Sequence, residues 1–177
     1  MRRKSLKSGL LTVILVITLI LGVRIFDATR FDMLQGRPMI IDGDSLVLAG
    51  RRVRLLGLDA PELAQMCQAG GSDKACGTMA RRALREIIGG QVVHCEIDGE
   101  DRYERLLARC FLGGGDIGDM LVGAGWAVAT DDYALSEADA RAAGAGIWSM
   151  QFMEPADWRE LNAGVESSGG IRSWLRD

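Results

Sequence analysis

Two short segments of this 177-residue chain concentrate the residue types that do chemistry. The first runs Ile41-Asp42-Gly43-Asp44-Ser45 and then Arg54-Leu55-Leu56-Gly57-Leu58-Asp59-Ala60-Pro61-Glu62; the second is Asp101-Arg102-Tyr103-Glu104-Arg105. Asp44 and Asp59 flank strand-like runs and could give hard oxygen ligands to one cation such as Ca²⁺. Arg54 and Arg105 add two permanent positive charges, and Glu62 adds a carboxylate. Hydrolysis of a phosphodiester needs this set: a metal to gather phosphate and water, a base for the water, and guanidinium forks for the charge that grows on the phosphoryl oxygens. Spacing alone does not separate it from turn aspartates and solvated surface arginines.

The elements that must position these residues are short. Runs at 39–42, 45–48 and 51–56 are apolar or alternating and are broken by Asp42-Gly43-Asp44 and Ala49-Gly50, which reads as a tight meander of strands. The period of two puts Arg54 on the face opposite Val53 and Leu55. Met79, Ala83, Leu84, Ile87 and Ile88 recur at helical spacing over 78–88, with Arg81, Arg82 and Arg85 on the wet side, and Gly89-Gly90 ends that helix. Segments 92–97 and 106–112 read as a strand pair around a polar loop at 98–105. Two short helices are expected at 116–124 and 136–143, the second with Ser136 and Asp139 as a capping box. Trp126, Trp148 and Trp158 are expected in the core of the helical half, His94 in a structural role on a strand, and the Gly/Ser-rich tail from Asn162 as loose chain. Three strands, a helix, two strands and trailing helices describe an α+β fold: a small closed barrel with helices beside it, OB-like in outline.

Composition narrows the function classes. A chain that is 48% apolar and 25% charged has the balance of one globular domain. His94 is its one histidine, so a site built from several histidines is excluded. Net charge is −3, but residues 1–30 hold six of the basic side chains and one acidic, which leaves residues 31–177 at −8. A body that acidic does not coat DNA generally; it can meet nucleic acid only through a focused basic site.

The N-terminus reads as an export signal. After Met1-Arg2-Arg3-Lys4, residues 10–23 are fourteen uncharged residues rich in Leu, Ile and Val, the length of a signal-peptide core. No small-x-small cleavage site follows, and Lys7 and Arg24 stand near the ends of a 6–26 span. The expectation is therefore a signal anchor over 1–26 that places the rest outside the cytoplasm, with secretion after cleavage as the alternative. Four cysteines agree with an oxidising compartment. Cys95 and Cys110 fall on strands that should be neighbours, and Cys67 and Cys76 bracket a short loop, so pairing 67–76 and 95–110 is expected.

The string DGDSLVLAGRRVRLLGLDAPE, followed in order by ACGTMARRAL, DRYER, LVGAGWA and GIWS, resembles the staphylococcal nuclease (thermonuclease-like) family over about residues 36–160. The resemblance implies a five-stranded OB-type barrel with three helices, and a Ca²⁺-dependent nuclease that acts on DNA and RNA with little sequence preference. It divides the chain into an anchor or signal at 1–26, a linker at 27–35, a nuclease domain at 36–160 and a tail at 161–177, and a monomer is expected. By matching position, Asp44 and Asp59 resemble the side-chain calcium ligands, with Ala60 giving its backbone carbonyl. Glu62 resembles the carboxylate that activates water. Arg54 and Arg105 look like the arginines that bind phosphate and stabilise its transition state, Arg102 and Tyr103 match flanking phosphate contacts, and Tyr133 is the one aromatic near the place where some members offer a ring to the base. Two positions depart from the pattern. Glu104 replaces the usual glycine of Asp-x-Tyr-Gly-Arg, where its carboxylate could pair with Arg105, and Asp131-Asp132 follows the GWA motif. These departures leave a second reading open, a weakened nuclease-fold module that binds nucleic acid or a protein partner at the envelope.

Overall fold

The computed structural model describes residues 13–19 and 33–169, with side chains through residue 163. The chain divides into two units after Asp32. In the first, residues 13–19 are helical (α1), and the Thr18 hydroxyl donates to the Ile14 carbonyl at 2.8 Å. The rest of the expected 1–26 anchor lies outside the described residues. Among those described, no helix is long and apolar enough to cross a membrane.

In the second unit the meander forms where alternation predicts it. Strands β1 (Met33–Gly36), β2 (Met39–Ile40), β3 (Ser45–Leu48), β4 (Arg51–Leu55) and β5 (Leu58–Asp59) lead to a hairpin of β6 (Cys67–Ala69) and β7 (Ser72–Lys74). Helix α2 (Cys76–Ile88) follows, then β8 (Val93–Glu100), β9 (Leu106–Leu112), β10 (Gly115–Asp116) and α3 (Ile117–Gly123). The chain ends in β11 (Val128–Ala129), α4 (Ala134–Ala143), a 3₁₀ turn at Gly146–Ser149 and α5 (Pro155–Gly169). The main sheet runs β1-β8-β9-β4-β3-β2 with β10 on β9, β5 pairs separately with β11, and β4 lies parallel to β9.

The inward residues of this sheet explain its curl. Leu46, Leu48, Val53, Leu55, Val93, Cys95, Leu106, Ala108 and Cys110 all point to one side and are almost fully buried. Against them pack Ala80, Ala83, Leu84 and Ile88 of α2 and Ile117, Leu121 and Val122 of α3. The result is a mixed α+β fold with a curled half-barrel sheet. In place of the closed five-stranded barrel, the main sheet leaves β1 and β2 as its two edges.

Three local expectations are corrected. Met33 to Gly36 lie partly in the stretch read as a linker, yet they pair with β8 because the register Leu34↔Cys95 buries an apolar pair. Helix α4 starts two residues early, after Tyr133 in the left-handed region (φ 65°), and no side chain caps it; the Ser136 hydroxyl donates to Asp119 of α3 rather than to its own helix. The tail does not loosen at Asn162: α5 starts on Pro155, a residue preorganised for a first helical position, and continues to Gly169. Gly89 ends α2 at φ 57°, a left-handed cap, and the Asp116 carboxylate accepts from Gly118 and Asp119 to cap α3. Disulfides join Cys67 to Cys76 and Cys95 to Cys110, the latter pair directly opposite each other on β8 and β9.

Candidate active site

The β3–β4 register sets Ser45 opposite Arg54, and the amide of Leu55 donates to the carbonyl of Asp44 at 2.8 Å. Arg54 therefore emerges beside Asp44. Its guanidinium spans two carboxylates, Nη1 to Asp44 Oδ2 at 2.7 Å and Nη2 to Asp59 Oδ1 at 2.8 Å. Asp59 arrives because β5 pairs with β11, opposite Val128. Asp44 also accepts from the Ser45 hydroxyl at 2.9 Å and the Ala60 amide at 3.4 Å. Both aspartates are about 95% buried. Burial pushes Asp44 up to about 7, outweighing the pull of Arg54 in the other direction. Two buried carboxylates with the carbonyl of Ala60 next in the chain form a hard-oxygen donor set of the kind that suits Ca²⁺. Among the described residues, no cluster of three or more His, Cys, Asp or Glu side chains converges, so such a set would rely on main-chain oxygen and water for its remaining ligands.

Glu62 is held through its backbone. Its amide donates to Oε1 of Gln65 at 3.1 Å, and its carbonyl accepts from the Gln65 amide at 2.7 Å. Gln65 is fully buried, and its Nε2 donates to the Met153 carbonyl at 2.7 Å, tying this loop to the approach of α5. On the other side is Gly77, in the first turn of α2, where a Cβ would fall 1.8 Å from the Glu62 carbonyl. Only glycine fits there.

Arg105 is held by Asp101, a role the sequence did not single out. The Asp101 carboxylate accepts from the amides of Tyr103 and Arg105 at 2.8 and 3.0 Å, and its other oxygen accepts from Arg105 Nε at 2.8 Å. An aspartate at the head of such a loop is a familiar turn signal, and it could have been read as one. Arg105 thus pairs with Asp101 rather than with Glu104. Glu104 is exposed and takes a left-handed backbone (φ 59°), a conformation that glycine adopts at less cost. Arg102 and Arg105 both approach the Tyr103 ring, at 4.9 and 5.6 Å from its centroid.

A cleft of about 770 Å³ brings together Arg54, Glu62, Arg102, Tyr103 and Arg105 with a residue not foreseen, Arg159 of α5. Arg159 reaches both oxygens of Asp59 at 2.9 and 2.8 Å and Glu62 Oε1 at 2.9 Å. No sequence signal could have found it, since its partners lie 97 and 100 positions away. Trp158 lines the cleft as well, rather than the core. Tyr133 does not reach it: burial and a hydrogen bond to Asp116 Oδ2 at 2.9 Å hold its phenol protonated, its ring packs on Gly57 and Gly118, and Arg109 pairs with Asp132 beside it. His94 stacks on Phe111.

The model of the family described as staphylococcal nuclease homologue matches residues 52–150, more than half of the chain. The chain belongs to the staphylococcal nuclease family. A succinoglycan biosynthesis protein, ExoI, of Rhizobium meliloti is 37% identical over 133 residues, covering 71% of this chain and 70% of its own. An uncharacterised endonuclease of Haemophilus influenzae is 30% identical, covering 68% and 69%. A probable staphylococcal-like nuclease of rice, CAN2, is 32% identical over 70% of this chain but a third of its own length. Within this staphylococcal nuclease domain, the matched segment includes Arg54, Asp59, Glu62, Asp101 and Arg105, whereas Asp44 and Arg159 lie outside it.

Proposed function

We propose that the protein is a Ca²⁺-dependent nuclease that hydrolyses phosphodiester bonds of DNA and RNA with little sequence preference. The observation that carries this reading is the cleft in which four arginines and Glu62 meet beside two buried aspartates, in an acidic chain with no comparable reason to gather positive charge. Asp44, Asp59 and the Ala60 carbonyl would hold the cation, which when bound polarises phosphate and lowers the pKa of water. Glu62, a third exposed and facing the cleft, takes the proton of the attacking water. Arg54 and Arg105 donate to the phosphoryl oxygens as their charge grows, each aimed by a carboxylate that fixes its fork. Arg102 and Tyr103 contact the adjoining phosphate. Contacts of this kind position a backbone and read no base, hence the broad substrate range.

The two disulfides support an oxidising, extracytoplasmic location, and the basic, then apolar, N-terminal segment would take the domain there. A weakened binding module is the second reading. Left-handed Glu104 favours it, as does the likeness to a relative named for succinoglycan biosynthesis. Digestion of single-stranded DNA and RNA with Ca²⁺ or with EDTA separates the two. The nuclease degrades both substrates with Ca²⁺ and neither in EDTA, whereas binding without degradation in Ca²⁺ would establish the module.

A further inference from the structure

Arg159 has no part in the reaction as proposed, yet it makes three of the charged hydrogen bonds at the site. Oxygen Oδ1 of Asp59 already accepts from Arg54 Nη2 and Arg159 Nη1, which uses both of its lone pairs, and Oδ2 accepts from Arg159 Nη2. Three of the four lone pairs of the carboxylate are taken, so a cation ligated by Asp59 finds only one, on Oδ2, beside the Arg159 guanidinium that already holds that oxygen, and the two positive charges repel. That repulsion, or ligation through both oxygens, displaces one of the two arginines, and the structure distinguishes them. Arg54 stands on a central strand with a fifth of its side chain exposed and bridges both aspartates, whereas Arg159 stands on the last helix with 42% exposed and holds one aspartate only.

We propose that Arg159 is a latch that competes with the divalent cation for Asp59. Cation entry and release of the Arg159 fork are one event. While latched, the guanidinium also occupies Glu62 Oε1, so the same release frees that oxygen of the base for water. The helix is built to let go at this point. Its approach is pinned by Gln65 at Met153 and its first turn by the Trp158 amide on Glu154, while Arg159, Glu160 and Leu161 are exposed. Release shifts the turn carrying Arg159 outward.

The inference rests on the reading of Asp59 as a cation ligand, so the test measures binding rather than cleavage. Calcium titration of the full-length protein by calorimetry, with Tb³⁺ luminescence as a second probe, is compared for wild type and Arg159→Gln. Loss of a half-exposed bidentate pair should tighten Ca²⁺ binding about five- to tenfold. Arg159→Lys, which keeps the charge and loses the fork, should fall between the two. Hydrogen exchange in the wild type gives a readout that needs no variant: Ca²⁺ should speed exchange of amides in residues 157–163. Equal or weaker Ca²⁺ binding by Arg159→Gln, or α5 exchange that ignores Ca²⁺ while the ion binds, overturns the latch alone. Absence of Ca²⁺ binding by every form overturns the metal reading, and the latch with it.

Discussion

Asp44, Arg54 and Asp59 stand on strands or strand ends whose backbone pairing leaves them one place to go, whereas Glu62, Arg105 and Arg159 are delivered by a loop, a turn and a helix that meet only in the finished fold. The strand-borne group is buried and mutually paired. In the other group Glu62 and Arg159 are more open, at 33% and 42% of the side chain, while Arg105 at 20% matches Arg54, and each member is aimed by a neighbour: Gln65 for Glu62, Asp101 for Arg105, and Asp59 itself for Arg159. The contrast separates two duties. Buried charge set by register ties the site to the stability of the fold, while charge aimed by a neighbouring loop or side chain can be altered with the fold intact.

The sharpest way to break that division is Glu62→Gln. It keeps the volume and the backbone contacts of Gln65, and its amide oxygen can still accept from Arg159, so thermal stability should stay at the wild-type level and Ca²⁺ affinity should change far less than in Arg159→Gln, while turnover falls by about 10²–10⁴, the scale of general-base loss. Steady-state kinetics with a calorimetric scan of the same sample checks both halves, and a Tm that fell with the rate would erase the distinction. Arg54→Ala should behave in the opposite sense. Removing the guanidinium between two buried carboxylates should cost about 3 kcal/mol, at the low end for a broken buried pair because a fifth of the side chain is in water. Urea unfolding measures this directly, and a midpoint unmoved by the change would show that the strand-borne group does not support the fold.

The smallest effect is expected at Glu104. Glycine there relieves a left-handed residue, but it also gains freedom in the unfolded chain, so the net stabilisation should be no more than about 1 kcal/mol, a rise in Tm of about 2–4 °C. Since Glu104 is exposed and Arg105 is already paired with Asp101, repulsion of substrate should be weak: Glu104→Gly should speed cleavage a few-fold at about 0.01 M salt and hardly at all near 0.15 M. An equal effect at both salt concentrations would point to backbone strain rather than charge.

How far the sequence could be read follows the same division. Alternation and turn residues located β3 and β4 to within a residue and put Arg54 on the face away from Val53 and Leu55, whereas its place beside Asp44 comes from the strand register, which alternation alone leaves open. The pairings Cys67–Cys76 and Cys95–Cys110 followed from nearness along the chain and across a hairpin. Arg159 was out of reach, since nothing local to α5 records that its first turns face Asp59. Tyr133 misled for a related reason. Its position suggested the cleft, but two glycines, Gly57 and Gly118, leave a slot that its ring fills, and the absence of a side chain is a weak signal to read from sequence.

The contact between Gly77 and Glu62 gives the hydrophobic core a mechanical output. Helix α2 abuts the Glu62 carbonyl with no side chain between, so how closely that helix packs sets where the loop can lie. That packing is set by Ala80, Leu84 and Ile88 buried against the sheet. A methylene lost from Leu84, about 11 Å along the helix from Gly77 at 1.5 Å per residue, would be transmitted as a displacement of the base rather than absorbed as slack. Core volume in this protein is in that sense a tuning length for its chemistry.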